Sequence, residues 1–173
     1  MEPPKQASGG DGGEAISLKT ATGEASLLSQ LDRHFTSCLD LCDALERVAD
    51  TLPENIALCE CLDLAGRLYP TVKKAHDFEE NRLFPLLGED GRQDGETRKT
   101  VDRLHCEHCE DESFAFEVQE ALKEFVTGGK RANPEVLAYM LRGFFEGMRR
   151  HVAFEREHVV PAVLHKLTDQ ETH

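Results

Sequence analysis

Apolar residues recur every three or four positions along most of the chain, the spacing of helices that bury one face. The first such stretch runs from about Ser26 to Asp50, and Pro53 breaks it. The second stretch runs from about Glu54 to Leu87. Pro70 lies inside it, and a proline in a helix interior removes a hydrogen bond, so we expect a kink there. The pattern predicts two long amphipathic helices in the first half.

The second half repeats this pattern. A third periodic stretch runs from about Glu96 to Val126, and Gly128 with its neighbouring glycine stops it. Asn133 followed by Pro134 is a strong signal for the start of a fourth helix, because asparagine caps helices and proline suits their first position. Four amphipathic helices with short connections predict an all-α fold, an up-down-up-down antiparallel four-helix bundle.

The two ends of the chain lack this periodicity. Residues 1–23 are rich in glycine, proline and acidic residues, and they predict a disordered N-terminal tail. We assign residues 24–167 to the bundle and residues 168–173 to a C-terminal tail. A length of 173 residues fits one domain with a sizeable core.

The composition supports a helical protein and excludes some classes of binding partner. Charged residues make up 31% of the chain and aromatic residues 6%, unlike a β-sandwich. The net charge of -13 argues against nucleic acid or an anionic membrane surface as partner, since both attract basic proteins. No apolar run approaches the roughly 20 residues of a membrane span, and no export signal is visible. We therefore expect a cytoplasmic protein.

One sequence feature occurs twice. His76 precedes Glu80 by four residues, and His151 precedes Glu155 by four, so each pair shares one helix face. In both segments a proline follows the histidine by nine or ten residues. A histidine and a glutamate on one face can hold a metal ion with one nitrogen and one oxygen. Two copies with matched flanks predict a metal site.

Two further histidines lie at similar depths in the predicted bundle. Counted from one end, His34, His76, His108 and His151 lie within one or two helical turns of each other. Each of them falls on the apolar stripe of its own helix. We therefore expect the four imidazoles to converge in one layer of the core.

Three carboxylates on the same stripes strengthen the case for a metal. Glu80, Glu112 and Glu155 are costly to bury unless they are paired or bind a metal, and no lysine or arginine occupies a matching inward position. Imidazoles with carboxylates suit iron, manganese or zinc. The lack of a sulfur-rich shell argues against copper(I) or an iron–sulfur cluster.

The six cysteines are predicted to be reduced. Cys106 and Cys109 have the spacing of a zinc knuckle, but Cys59 and Cys61 do not provide the second one. We interpret the cysteines as structural thiols, with redox sensing as the alternative.

Together these segments resemble the hemerythrin-like (HHE cation-binding) domains over nearly all of residues 27–165. The likeness rests on His34 in the first helix, the His76 segment, the pair Glu107-His108 and the His151 segment. It implies a non-haem di-iron centre bridged by two carboxylates and an oxo or hydroxo group, although other divalent metals remain open. By this resemblance the terminal ligands are His34, His76, His108 and His151, and the bridges are Glu80 and Glu155.

The third helix departs from the oxygen-carrying hemerythrins, which have two histidines four residues apart. Here Glu112 stands four residues after His108, and we predict it as the seventh ligand. His105 lies on the same face and is the alternative.

The second helix also offers two choices. Glu79 lies within reach of the same site as Glu80, because positions three and four after a histidine flank one stripe. Counting from Pro85 instead of from His76 makes Glu79 the equivalent of Glu155. We favour Glu80.

The ligand types favour one function. A carboxylate in place of an imidazole adds negative charge, which stabilises ferric iron and disfavours reversible O2 carriage. We therefore predict a cytosolic di-iron protein that senses or handles O2, NO, peroxide or iron. The alternatives are a di-iron oxidase or peroxidase and a metal-stabilised interaction module that holds zinc. The expected partners are metal ions and a diatomic or peroxide ligand; the sequence indicates no particular protein partner.

Overall fold

The computed structural model describes residues 12–52, 58–88, 95–128 and 133–171, and within these ranges the side chains of residues 25–169. These residues form helices and turns without a strand, which confirms the all-α prediction for the part of the chain described. Residues 1–11 and 172–173 of the two predicted tails lie outside it. None of the described helices combines the length and the hydropathy that crossing a membrane requires.

The described residues of the first half form three α-helices and a π-helical turn. α1 spans Gly12–Thr51, so it extends into the segment that the sequence predicts as a tail. α2 spans Leu58–Phe78 and continues through Pro70 without ending there. A first π-helical turn, Glu79–Leu83, connects it directly to the short α3, Phe84–Gly88.

The second half has the same order of elements. α4 spans Gly95–Val126 and α5 spans Pro134–Phe154. A second π-helical turn, Glu155–Val159, connects α5 directly to α6, which spans Val160–Glu171. Each half therefore contains a long helix that passes through one π turn.

The predicted start of α5 is confirmed. The Asn133 side chain accepts hydrogen bonds from the backbone N–H groups of Glu135 and Val136 at 2.9 and 3.3 Å. These contacts satisfy two of the free donors at the helix start. At the end of α4, Gly128 has a φ of 69°, the left-handed conformation in which glycine commonly ends a helix.

Both π turns are explained by a proline. Each turn begins at a glutamate, Glu79 or Glu155, that precedes Pro85 or Pro161 by six residues. A proline ring would clash with the carbonyl four residues earlier in a regular helix. The extra residue of a π turn widens the backbone at this point. The residue before each proline donates its N–H to the carbonyl of the glutamate five residues earlier.

The helices enclose one apolar core. α1 packs against α2 and α5, and α4 packs against the same two helices, so the four long helices form a closed ring. Apolar side chains of leucine or phenylalanine size contribute about 1.5–3 kcal/mol each when fully buried. The largest apolar side chains that are fully buried are Leu31, Leu41, Leu45, Leu64, Leu68, Leu83, Leu104, Leu122, Leu141, Phe144 and Met148.

Ion pairs join α1 and α5 along their outer edge. Three arginines spaced seven residues apart, two on α5 and one on the π turn that continues it, contact carboxylates of α1. The pairs are Arg142 with Asp50 (3.0 Å), Arg149 with Asp43 and Glu46 (2.6 Å each), and Arg156 with Asp32 (3.3 Å). Acid numbers fall as arginine numbers rise, so the contacts run in opposite order along the two helices. We refer to these contacts as the arginine ladder.

Candidate metal centre

Five ionisable side chains lie inside the ring of helices. His76, Glu79, His108, His151 and Glu155 are between 1% and 7% exposed. The histidines come from α2, α4 and α5, and the glutamates are the first residues of the two π turns. Helical spacing of three or four residues puts each glutamate on the same face as the histidine that precedes it. We call these five side chains the buried group.

The buried group surrounds one small volume. One ligand atom from each of His76, Glu79, His108 and His151 lies within 4.8 Å of the other three. His108 Nε2 lies 3.3 Å from Glu79 Oε2 and 3.8 Å from Glu155 Oε1. Glu155 Oε2 lies 3.6 Å from His151 Nε2. The His76 and His108 rings stack in parallel with centroids 3.9 Å apart, so three imidazoles and two carboxylates converge.

The structure leaves four of these inward atoms without a hydrogen-bond partner. They are Glu79 Oε2, His108 Nε2, His151 Nε2 and Glu155 Oε1. An unsatisfied buried polar atom costs about 1–3 kcal/mol, which is why native cores contain few of them. A metal ion binds carboxylate oxygens and imidazole nitrogens at once, so this donor set fits a metal.

The pKa values of the buried group are shifted because its ionisable side chains are buried close together. Burial raises the pKa of Glu79 to about 7. Burial, with the neighbouring His108 and His151, lowers the pKa of His76 to about 2 and keeps this ring neutral. Burial alone would lower the pKa of His108, but the carboxylates of Glu155 and Glu79 outweigh it and raise that pKa to about 10. A bound cation would replace the proton that His108 otherwise holds between two acids.

Glu80 and Glu112, two of the predicted ligands, lie at the edge of the buried group. Glu80 Oε1 is 2.9 Å from Nδ1 of His108, and Glu112 Oε1 is 3.2 Å from Nδ1 of His76. Their side chains are 31% and 19% exposed. Glu79, the alternative to Glu80, is the residue that the structure places with the inward atoms. The ligand roles of Glu80 and Glu112 stay predictions.

Asp111 belongs to the site and was missed by the sequence analysis. Its Oδ2 lies 3.2 Å from Nδ1 of His151, closer than the Oε2 of Glu107 at 3.7 Å. Burial raises the pKa of Asp111. One signal was available in the sequence, because Asp111 follows His108 by three residues and so shares its helix face.

His34 and His105 lie away from the converging atoms. The His34 ring is half-buried and packs on Phe78 with centroids 4.8 Å apart. The His105 side chain is 47% exposed, and its Nδ1 contacts Glu80 at 3.3 Å. Among the described residues, the four side chains whose ligand atoms converge include neither histidine. The ligand role of His34 and the alternative role of His105 stay predictions.

The cysteines are all free and none is among the four residues whose ligand atoms converge in the described structure. Burial raises the pKa of the Cys38 thiol, and the nearby Glu79 carboxylate adds to this effect. Cys38 therefore stays protonated at neutral pH. The buried cysteines are Cys38, Cys42 and Cys61, and the exposed ones are Cys59, Cys106 and Cys109.

Comparison with known proteins shows which family the chain belongs to. The family model described as the hemerythrin HHE cation binding domain matches residues 26–163. The chain belongs to this family. The resemblance seen in the sequence is thus confirmed, and all five members of the buried group lie inside the matched region of this hemerythrin HHE domain. No curated protein and no solved structure gives a significant match.

A surface cavity reaches the edge of the hemerythrin HHE site. It encloses about 280 Å³, and His151 lines it together with Asp111 and Glu107. Arg103 and Arg150 lie in the same wall. One histidine of the buried group is therefore adjacent to a space large enough for a small molecule.

Proposed function

We propose that this hemerythrin HHE domain binds iron in its core, as a non-haem di-iron protein that senses or handles O2, NO, peroxide or iron. The observation that carries the proposal is the convergence of three imidazoles and two carboxylates with four unpartnered inward atoms. Nitrogen and oxygen donors of this kind suit iron, with manganese and zinc as competitors.

In this proposal the buried group holds the metal. Its members, His76, Glu79, His108, His151 and Glu155, offer three imidazole nitrogens and four carboxylate oxygens. Glu79 and Glu155 begin equivalent π turns on two different helical segments, which supports equivalent roles: each would hold iron through its carboxylate. When bound, iron supplies ferrous–ferric redox chemistry and affinity for small ligands.

The residues around the buried group would control the access of water, small ligands and ions to the metal. Apolar side chains close the core on most sides, so bulk water is kept from the inward atoms. The cavity beside His151 supports a route for a small ligand or an entering ion. Its wall mixes Glu107, Asp111, Arg103 and Arg150, so the route is polar.

The proposal also includes the order of the helices and the location of the protein in the cell. We take the connection of the helices to be up-down-up-down, which is supported by the opposite order of contacts in the arginine ladder and between α2 and α4. We take the location to be cytoplasmic, which is supported by six free cysteines.

The test is metal content followed by spectroscopy. Protein purified anaerobically and loaded with ferrous iron is expected to hold close to two irons per chain. A Glu79→Gln variant should lose most of this iron, whereas Glu117→Gln, an exposed position on α4, should keep it. About one iron per chain would contradict the di-iron proposal, and an iron-free parent would contradict metal binding altogether.

The same samples test which small molecule the iron-loaded protein binds. We expect the optical spectrum of the ferrous protein to change on addition of O2, NO or peroxide. An unchanged spectrum with all three would contradict the sensing role and favour iron handling or a structural metal. Multiple turnover with peroxide would favour the enzyme alternative.

A further inference from the structure

The three histidines of the buried group share a feature at their outer edges. In each, Nδ1 faces a carboxylate that comes from a different helical segment. The pairs are His108 with Glu80 (2.9 Å), His76 with Glu112 (3.2 Å) and His151 with Asp111 (3.2 Å). The same ring nitrogen is used all three times, although the histidines lie on three helices.

This contact determines which ring nitrogen is free. A neutral imidazole carries one proton, and an ionised carboxylate can only accept a hydrogen bond. A carboxylate at Nδ1 therefore holds the proton there and leaves the lone pair on Nε2. In His108 and His151, Nε2 is buried and has no hydrogen-bond partner in the structure. The nitrogen that the carboxylate leaves free is thus the one directed at the site.

The carboxylates around the site fall into two sets by exposure. The side chains of Glu79 and Glu155 are 2% exposed and face inward. Those of Glu80, Asp111 and Glu112 are 31%, 23% and 19% exposed and face the outer nitrogens. An exposed carboxylate remains solvated, so it can accept from Nδ1 without the cost of full burial.

The outer contacts are also reciprocal. Glu80, which follows α2, contacts His108 of α4, while Glu112 of α4 contacts His76 of α2. The two histidine rings between them are parallel to within 2°. Two crossed contacts hold this stacked pair, so neither ring can rotate without breaking a contact to the opposite helix.

We propose that Glu80, Asp111 and Glu112 are positioning residues that hold the Nδ1–H tautomer of the three histidines and direct Nε2 to the metal. This inference rests on the proposed function, because it presumes a metal in the buried group. It assigns Glu80 and Glu112 a role different from the ligand role that the sequence predicts, and it adds Asp111. A carboxylate at Nδ1 also makes the imidazole a more basic ligand.

The test uses zinc alone, so that redox chemistry does not interfere. Each of the three positions is changed to its amide, Glu→Gln or Asp→Asn, and separately to leucine. The amide keeps an oxygen that can accept from Nδ1, whereas leucine removes it. Glu117→Leu, five residues beyond Glu112 and exposed, is the matched control. Affinity is measured by competition with a chelator, and ions per chain are measured at saturation.

We expect all variants to bind as many zinc ions per chain as the parent. The leucine variants should bind them roughly 10- to 100-fold more weakly. The amide variants should recover most of this loss. Fewer ions per chain in Glu80→Gln, Asp111→Asn or Glu112→Gln would identify that residue as a ligand and overturn the proposal. Leucine variants that bind as tightly as Glu117→Leu would also overturn it. A parent that binds no zinc or iron would instead refute the proposed function.

A second readout reports the tautomer directly. In protein loaded with cobalt(II), the Nδ1–H protons of bound histidines give shifted NMR signals that disappear when they exchange with solvent. The parent should show three signals with slow exchange. Each leucine variant should speed the exchange of one signal, its amide counterpart should keep that exchange slower than the leucine variant does, and Glu117→Leu should leave all three unchanged. If a leucine variant fails to fold, the zinc stoichiometry of its amide counterpart still decides the question, because fewer ions per chain in that variant would overturn the proposal.

Discussion

Removing the metal should destabilise the protein, because four inward atoms of the buried group have no hydrogen-bond partner in the structure. The perturbation is complete chelation of a metal-loaded sample under conditions where folding is reversible. The metal-free protein retains Glu79 Oε2, Glu155 Oε1 and two imidazole nitrogens buried without hydrogen bonds. We therefore expect the chelated protein to unfold at a lower temperature.

The size of the effect follows from these four atoms. At about 1–3 kcal/mol for each unsatisfied atom, the metal-free state loses roughly 4–12 kcal/mol of unfolding free energy. Water that enters the site lowers the cost, and so does the proton that His108 holds between Glu79 and Glu155, so we expect the lower end. In a protein of this length about 1 kcal/mol shifts Tm by roughly 2–4 °C, so a loss of about 4 kcal/mol corresponds to roughly 8–16 °C.

Calorimetry of the loaded and chelated protein measures this shift, and two adjacent glutamates provide the control. Glu79→Gln removes an inward ligand and should abolish most of the metal-dependent shift. Glu80→Gln removes a charge at an outer nitrogen and should retain it. The reasoning is refuted if loaded and chelated parent melt within about 2 °C of each other. It is also refuted if both variants lose the shift equally.

Three further outcomes are expected. The carboxylates around His108 raise its pKa to about 10, so a proton competes with the metal for this histidine. Zinc affinity should therefore rise from about pH 7 to about pH 9, and an affinity independent of pH would contradict this. Arg149→Ala should lower the unfolding free energy in urea by about 1 kcal/mol, and more than Arg142→Ala, because Arg149 contacts two acids and is less exposed. In the native protein a thiol reagent should modify three cysteines, and labelling of a buried cysteine would refute the packing. The expected reactive thiols are Cys59, Cys106 and Cys109.

Periodicity predicted the helices well because their apolar stripes are long. It could not choose between Glu79 and Glu80, since positions three and four after His76 flank the same stripe equally. The π turn at Glu79 makes the difference visible, and its position follows from Pro85. Counting six residues back from the proline in both segments gives Glu79 and Glu155, the two glutamates that have unpartnered inward oxygens.

Which histidine each outer carboxylate contacts could not be predicted from the sequence, for a different reason. Asp111 and Glu112 are adjacent on α4, yet their carboxylates reach histidines on two different helices, α5 and α2. Which carboxylate meets which ring depends on the relative shift of the helices. A shift of one turn, about 5.4 Å, would change every partner. A single sequence contains no measure of that shift.

The arginine ladder indicates how the protein sets this shift. Sliding α5 along α1 by a single turn would separate all three arginines from their acids, and it would move His151 by about 5.4 Å. His151 lies only two residues beyond Arg149, so the alignment of surface charges and the alignment of the metal-binding atoms are one constraint. The ion pairs at the surface thereby help to fix the position of a buried histidine along the helix axis. Substitutions on this outer edge can misplace a core histidine without touching it.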